Sequence, residues 1–181
     1  MNGHIETNQQ YQERKSLIEK ILEERPSNKT ARLSSEGIIL KNLLDMNISE
    51  LKKTVETQDK FYQDRVKEWT QLYCEALENN YKLWTGLYLG QPRGSKSNEK
   101  FIIKTGKRFH KIVQEEHTQD GRTHNRGAHA FVEKDTGKVY KAASWSQPAK
   151  GYRYDMRIDQ HRELLHNPKF VDWAGGYLYK R

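Results

Sequence analysis

Cysteine occurs once in the 181 residues, at Cys74. One thiol excludes an intrachain disulfide and a multi-thiolate zinc site, and it suits a reducing compartment. Apolar residues are also scarce, at 34% of the chain with a mean hydropathy of -1.05. No apolar run reaches the roughly 18 residues that a membrane helix needs, so no membrane partner is expected. The opening MNGHIETNQQYQERK is polar and lacks the apolar centre of a signal peptide, which implies a cytoplasmic protein. With so little apolar material, a chain of this length implies a small core plus an extended or oligomeric part.

What is abundant is charge, and it is unevenly placed. The first 90 residues carry 13 Lys and Arg against 14 Asp and Glu; the other 91 carry 19 against 10, which accounts for the net charge of +8. A basic half of this kind attracts polyanions or phosphorylated ligands. The alternative is a basic surface that serves solubility alone.

Periodicity separates the two halves. Leu17, Ile18, Ile21 and Leu22 predict a helix over 11–24, ended by Pro26. A second short helix is expected from Ser34 or Ser35, carrying Ile38, Ile39, Leu40, Leu43 and Leu44 with Gly37 weakening it. Asn47 and Glu50 have capping-box spacing and introduce a long helix over 49–87, in which Leu51, Val55, Tyr62, Val66, Trp69, Tyr73, Leu77, Tyr81 and Trp84 recur at spacings of three, four or seven. A helix roughly 55 Å long exceeds what a small domain covers, so it is expected to pair with the N-terminal helices, with a second copy of itself, or with both. Its rings read as packing rather than as a base-stacking ladder.

Gly86, Gly90 and the stretch QPRGSKSN mark a boundary, giving a helical region over 1–90 and a sheet domain over 98–181. The Gly94-Ser95-Lys96-Ser97 run has the wrong order for a phosphate loop. Two hairpins are expected, one turning at Thr105-Gly106-Lys107 and one at Asp135-Thr136-Gly137, with His117–Gly127 as a polar loop between them. That makes a four-stranded, mostly antiparallel sheet. A short helix over Asp159–Leu165 stops at Asn167-Pro168, and Gly176–Tyr179 is expected as an edge strand. The fold class is therefore α+β, an N-terminal long helical hairpin or stalk with a small C-terminal antiparallel sheet.

Chemistry is sparse. Asp135-Thr136-Gly137 has the tripeptide of aspartic proteases, but Lys134 and Lys138 flank it and make it a solvated turn. His117, His124 and His129 with Asp120 fit no zinc spacing. No nucleophile and base stand at a recognisable spacing, so neither an enzyme nor a cofactor is expected. The connection after Val139-Tyr140-Lys141 is richer. Lys141, Ser144, Trp145, Lys150, Arg153, Tyr154 and Arg157 combine cations with rings, which suits a phosphate and a stacked base. The competing reading makes Trp145 and Pro148 a plug for the open end of the sheet. The ligand itself is not named by these residues.

His129-Ala130-Phe131-Val132, Thr136-Gly137, Val139-Tyr140-Lys141, Ala143-Ser144-Trp145, Pro148-Ala149-Lys150, Arg153 and Gly176-Tyr177-Leu178 together resemble small proteins encoded by tailed bacteriophages. The likeness covers the last third of the chain. The layout of helical stalk and small sheet is similar to that of Thoeris anti-defence sponges. This resemblance implies non-enzymatic capture of a phosphorylated nucleotide signal in the host cell cytoplasm by a homo-oligomer. The alternatives are a nucleic-acid-binding phage protein using the basic half, and a virion or host-inhibitor structural protein.

Overall fold

A computed structural model describes residues 7–23, 42–86 and 97–179. The expected helix near Ser34 and the Gly94-Ser95-Lys96-Ser97 stretch lie largely or wholly outside these residues. The chain divides into two compact units, Met1–Tyr62 and Gln63–Arg181.

In the first unit α1 spans Asn8–Glu23 and α2, which continues into the second unit, spans Ile48–Thr85. The capping box forms as the spacing implies. The Asn47 amide donates to Glu50 Oε2 at 2.8 Å and the Glu50 amide donates to Asn47 Oδ1 at 2.9 Å, so two orphan donors of the first turn are satisfied. Ile18 and Ile21 of α1 pack with Leu43, Leu51 and Val55, edged by Leu17, Leu22 and Met46. Lys52 pairs with Glu13 at 2.7 Å and Lys20 with Asp59 at 2.8 Å. The partner numbers advance together, seven residues on each helix. The helices therefore run parallel, so α1 and α2 are not the two arms of a hairpin.

The second unit is a meander in the order β1-β2-β3-β4-β5: Ser97–Thr105, Phe109–Thr118, Thr123–Glu133, Lys138–Lys141 and Tyr154–Asp155, each pair antiparallel. One face lies under α2, where Val66, Tyr73, Cys74, Ala76 and Leu77 meet Phe101, Ile112, Ala130, Val132 and Val139. Met156, Leu165 of α3 (Asp159–Leu165), Val171 and Leu178 close the same core. Tyr73 and Tyr81 are buried and Trp69 packs against the core, as expected of packing rings, whereas Trp84 is exposed.

Three expectations fail. His117–Gly127 is not a loop, because β2 and β3 run on to a tight turn at Asp120-Gly121, where Gly121 has φ of 80°. The sheet has five strands, since Tyr154–Asp155 pairs with Lys138–Val139. Gly176–Leu178 is a 3-10 turn buried by Leu178 rather than an edge strand. No helix among the described residues is long and apolar enough to cross a membrane.

Candidate functional site

The connection from β4 to β5 begins as a small hairpin of its own. Ala142 bridges Pro148, the Ala143 amide donates to the Gln147 carbonyl at 2.9 Å, and the Ala149 amide donates to the Lys141 carbonyl at 2.8 Å. Its tip carries Ser144 and Trp145. Ser144 Oγ accepts from the Ser146 amide at 3.3 Å, which tightens the tip. Trp145 is 44% exposed and lies beneath Lys111, whose Nζ is 4.1 Å from the ring centroid, with Lys104 Nζ at 5.7 Å. Lys111 Nζ also donates to the Trp145 carbonyl at 3.2 Å. Trp145 is thus held by cations rather than plugged into the core.

The other residues expected at the site go elsewhere. Arg153 donates from Nε to the Leu178 carbonyl at 2.8 Å, and one terminal nitrogen donates to the carbonyls of Gly151 at 2.5 Å and Lys150 at 3.2 Å. Its guanidinium ties the connection to the C-terminal turn. Tyr154 donates to the Tyr177 carbonyl at 3.1 Å and meets His161 and Phe170 edge to face, half-buried against the core. Arg157 lies 3.7 Å from Asp155, and Lys141 places its ammonium 3.9 Å from the Tyr179 ring centroid. Lys150 is exposed, and its ammonium makes no ion pair among the described residues. The seven residues therefore do not converge on one pocket.

What the structure brings together is a different set, on the sheet face turned away from α2. The register sets Lys104 opposite Lys111, Lys111 opposite Phe131, and Phe131 opposite Tyr140. Phe109 meets Phe131 and Tyr140 edge to face at 5.9 and 5.8 Å. The Arg108 guanidinium lies 5.0 Å from the Phe109 ring centroid and pairs with Glu133 through Nε at 2.7 Å and a terminal nitrogen at 2.6 Å. Burial works against the Glu133 charge, yet hydrogen bonds from Thr136, Arg108 and Tyr140 hold its carboxyl below the usual range. Lys138 Nζ lies 5.1 Å from the centroid of exposed Tyr152. Sequence reasoning passed over Lys104, Lys111 and Phe109. The signal was present in the period-two alternation of FIIKT and FHKIV, which puts all three on one face.

On the opposite face two bulges matter. Between Ile112 and Val113 the register skips His129, and between Gln114 and Glu115 it skips Arg126. Arg126 reaches Glu116 at 2.8 Å and buried Glu99 at 3.4 Å. His129 Nε2 and Tyr177 Oη are 3.0 Å apart, and Tyr177 Oη also bonds Tyr73 Oη. Burial raises both tyrosine hydroxyls far above their ordinary range and lowers His129 to about 4, although Asp172 opposes the shift on the imidazole. At neutral pH the network is uncharged and fastens the C-terminal turn to α2 and β3. His129 is thereby removed from His117 and Asp120, which pair with Glu115 and Arg122. Among the described residues no cluster of His, Cys, Asp or Glu could hold a metal ion. Asp135-Thr136-Gly137 is a turn with Gly137 at φ of 67°, and Asp135 accepts a hydrogen bond from Gln63 at 2.8 Å.

A model of a family of unknown function, DUF7717, matches residues 48–180. The chain belongs to that family. The DUF7717 match takes in α2 and the whole sheet domain, and α1 lies outside it. The cation-lined sheet face and the bulged strand β3 are therefore both within the DUF7717 segment. No curated protein and no solved structure matches the chain.

Proposed function

We propose that the protein is a non-enzymatic nucleic-acid-binding protein whose contacts come from the basic sheet domain. The observation that supports this is the distribution of uncompensated ammonium groups. Lys107, Lys111, Lys134, Lys138, Lys141 and Lys150 make no ion pair among the described residues, while the domain's arginines mostly spend their charge on carboxylates. Lys134 Nζ donates to the Lys107 carbonyl at 3.3 Å, which joins two of these lysines at one end of the sheet. Spread-out positive charge suits a chain of phosphates better than one phosphate group. The test is the salt dependence of affinity. Neutralising several backbone phosphates makes log K fall against log salt with a slope close to the number of contacts, so a slope of about -4 or steeper is expected.

A second reading, capture of a phosphorylated nucleotide as an anti-defence sponge, draws on Lys141, Trp145 and Lys150 standing on one short connection. It implies a shallow slope and a bound nucleotide detectable by mass spectrometry in protein purified from signal-producing cells. For either reading we propose an activity in the cytoplasm of an infected host, a proposal that draws on the resemblance to tailed-phage proteins. For the helical region we infer self-association. Leu72 and Leu83, 46% and 40% exposed, are eleven residues apart and so lie on one side of α2, a stripe suited to a second copy.

A further inference from the structure

We propose that the sheet face carrying Lys104, Lys111, Phe109 and Trp145 is a site for single-stranded nucleic acid, with a base stacked on Trp145. This inference rests on the nucleic-acid reading above and adds the site and the form of the ligand.

The first argument is the register. Lys104 and Lys111 stand directly opposite each other on neighbouring strands. Like charges in that position destabilise a sheet. Glu115, 3.6 Å from Lys104, offsets one of the two, and Lys111 has no carboxylate partner among the described residues. A polyanion would neutralise the pair.

The second argument is the indole. Trp145 is carried beyond the end of β4 by the small hairpin over 142–148 and reaches lysines on β2 and β1, two and three strands away in the sheet order. There it remains nearly half exposed, and its ring meets ammonium groups. Cation–π contacts at an exposed site are weak, so they exchange readily for better partners. An incoming strand offers phosphates to Lys104 and Lys111 and a base to the indole, and stacking accepts any base. Phe131, buried between Lys111 and Tyr140, and Phe109 give the platform a rigid floor.

The form of the ligand follows from the ring. In a duplex the faces of the bases are occupied by their neighbours, so Trp145 gains nothing and the lysines alone bind. A single strand engages both.

Fluorescence anisotropy of the full chain with a labelled oligothymidine of about 12 nucleotides, and with a duplex of the same length, tests this. The parent protein is expected to bind the single strand at least about tenfold more tightly, and Trp145→Leu to lose about tenfold on the single strand while duplex affinity holds. Lys111→Gln should weaken both and reduce the salt slope by about one. If Trp145→Leu melts early, Trp145→Phe decides. Retained preference for the single strand with a stackable ring supports the site, and its loss overturns it. Equal binding of strand and duplex, or full affinity in Trp145→Leu, overturns this inference and leaves the nucleic-acid reading standing. Failure of the parent to bind either probe, with an acidic protein bound instead, overturns both.

Discussion

Arg153 shows how a residue chosen for its chemistry can be used for architecture. In the sequence it is a cation four residues before Arg157 and next to a tyrosine, which reads as a phosphate contact. In the structure all three of its hydrogen bonds go to main-chain carbonyls, at Leu178, Gly151 and Lys150. A guanidinium so occupied has little left to offer a ligand, and removing it leaves the Leu178 carbonyl without its donor. Arg153→Ala should therefore cost about 1.5–3 kcal/mol, the range for hydrogen bonds from a charged group. In a domain of this size that is a fall in Tm of roughly 5–15 °C in a thermal melt. Affinity for nucleic acid, measured below the new Tm, should change by less than about twofold. A tenfold loss with an unchanged melt would restore Arg153 to the binding surface and move the site toward Lys150.

At the scale of elements, the strands that the sequence revealed are those whose apolar alternation is regular, and the stretch it hid is the one held by charge. Phe101–Ile103 and Ala130–Val132 alternate and were legible. So were the helices, because Leu51, Val55, Val66, Tyr73 and Leu77 keep helical spacing and Asn47 with Glu50 marks a start. His117–Gly127 carries no apolar residue, and a polar run reads as loop. It is strand because Arg126 ties Glu116 to Glu99 across the sheet and Thr118 closes the turn on the Arg122 carbonyl. The seven candidate site residues were adjacent in sequence, but the strand β5 and the 142–148 hairpin send them to different faces, and only pairing could reveal that. The bulge that turns His129 inward has a consequence for pH. An imidazole with its folded pKa at about 4, below the ordinary 6.5, binds its proton more readily when the chain is unfolded. Its contribution is complete above about pH 6.5 and is lost as the pH falls toward 4. His110 and His166, both lowered by burial, act in the same direction. Asp120, held at about 2 by Arg122, titrates below that window. Tm should fall on acidification from pH 7 to 4.5, and His129→Gln should flatten the fall. An unchanged slope in that variant would show that His129 is not the group responsible.

Taken whole, the molecule buries Leu77 of α2 and leaves Leu72 and Leu83 of the same helix exposed. Leu77 is fully buried in the sheet core, so a change there does not probe assembly: Leu77→Asp places a carboxylate in the buried cluster that also holds Val132, Val139 and Met156 and should unfold the domain in any oligomeric state. Leu72 and Leu83 are the residues to ask. At about 100° per residue, eleven positions return within about 20° of the same side of α2, and both side chains remain substantially exposed. Burying such a stripe against a second copy would stabilise a dimer by roughly 25 cal/mol for each Å² covered. The parent should then scatter light as a dimer, with a Tm that rises with protein concentration, since only the folded state associates. The double change Leu72→Glu and Leu83→Glu should scatter as a monomer, keep its helical circular dichroism and lose that concentration dependence. The sheet face is not part of this stripe, so single-strand binding per chain should persist in the monomer, while the gain in avidity from two linked sites disappears. A parent that is monomeric at micromolar concentration removes the case for self-association, and leaves Leu72 and Leu83 as ordinary exposed leucines on a long helix.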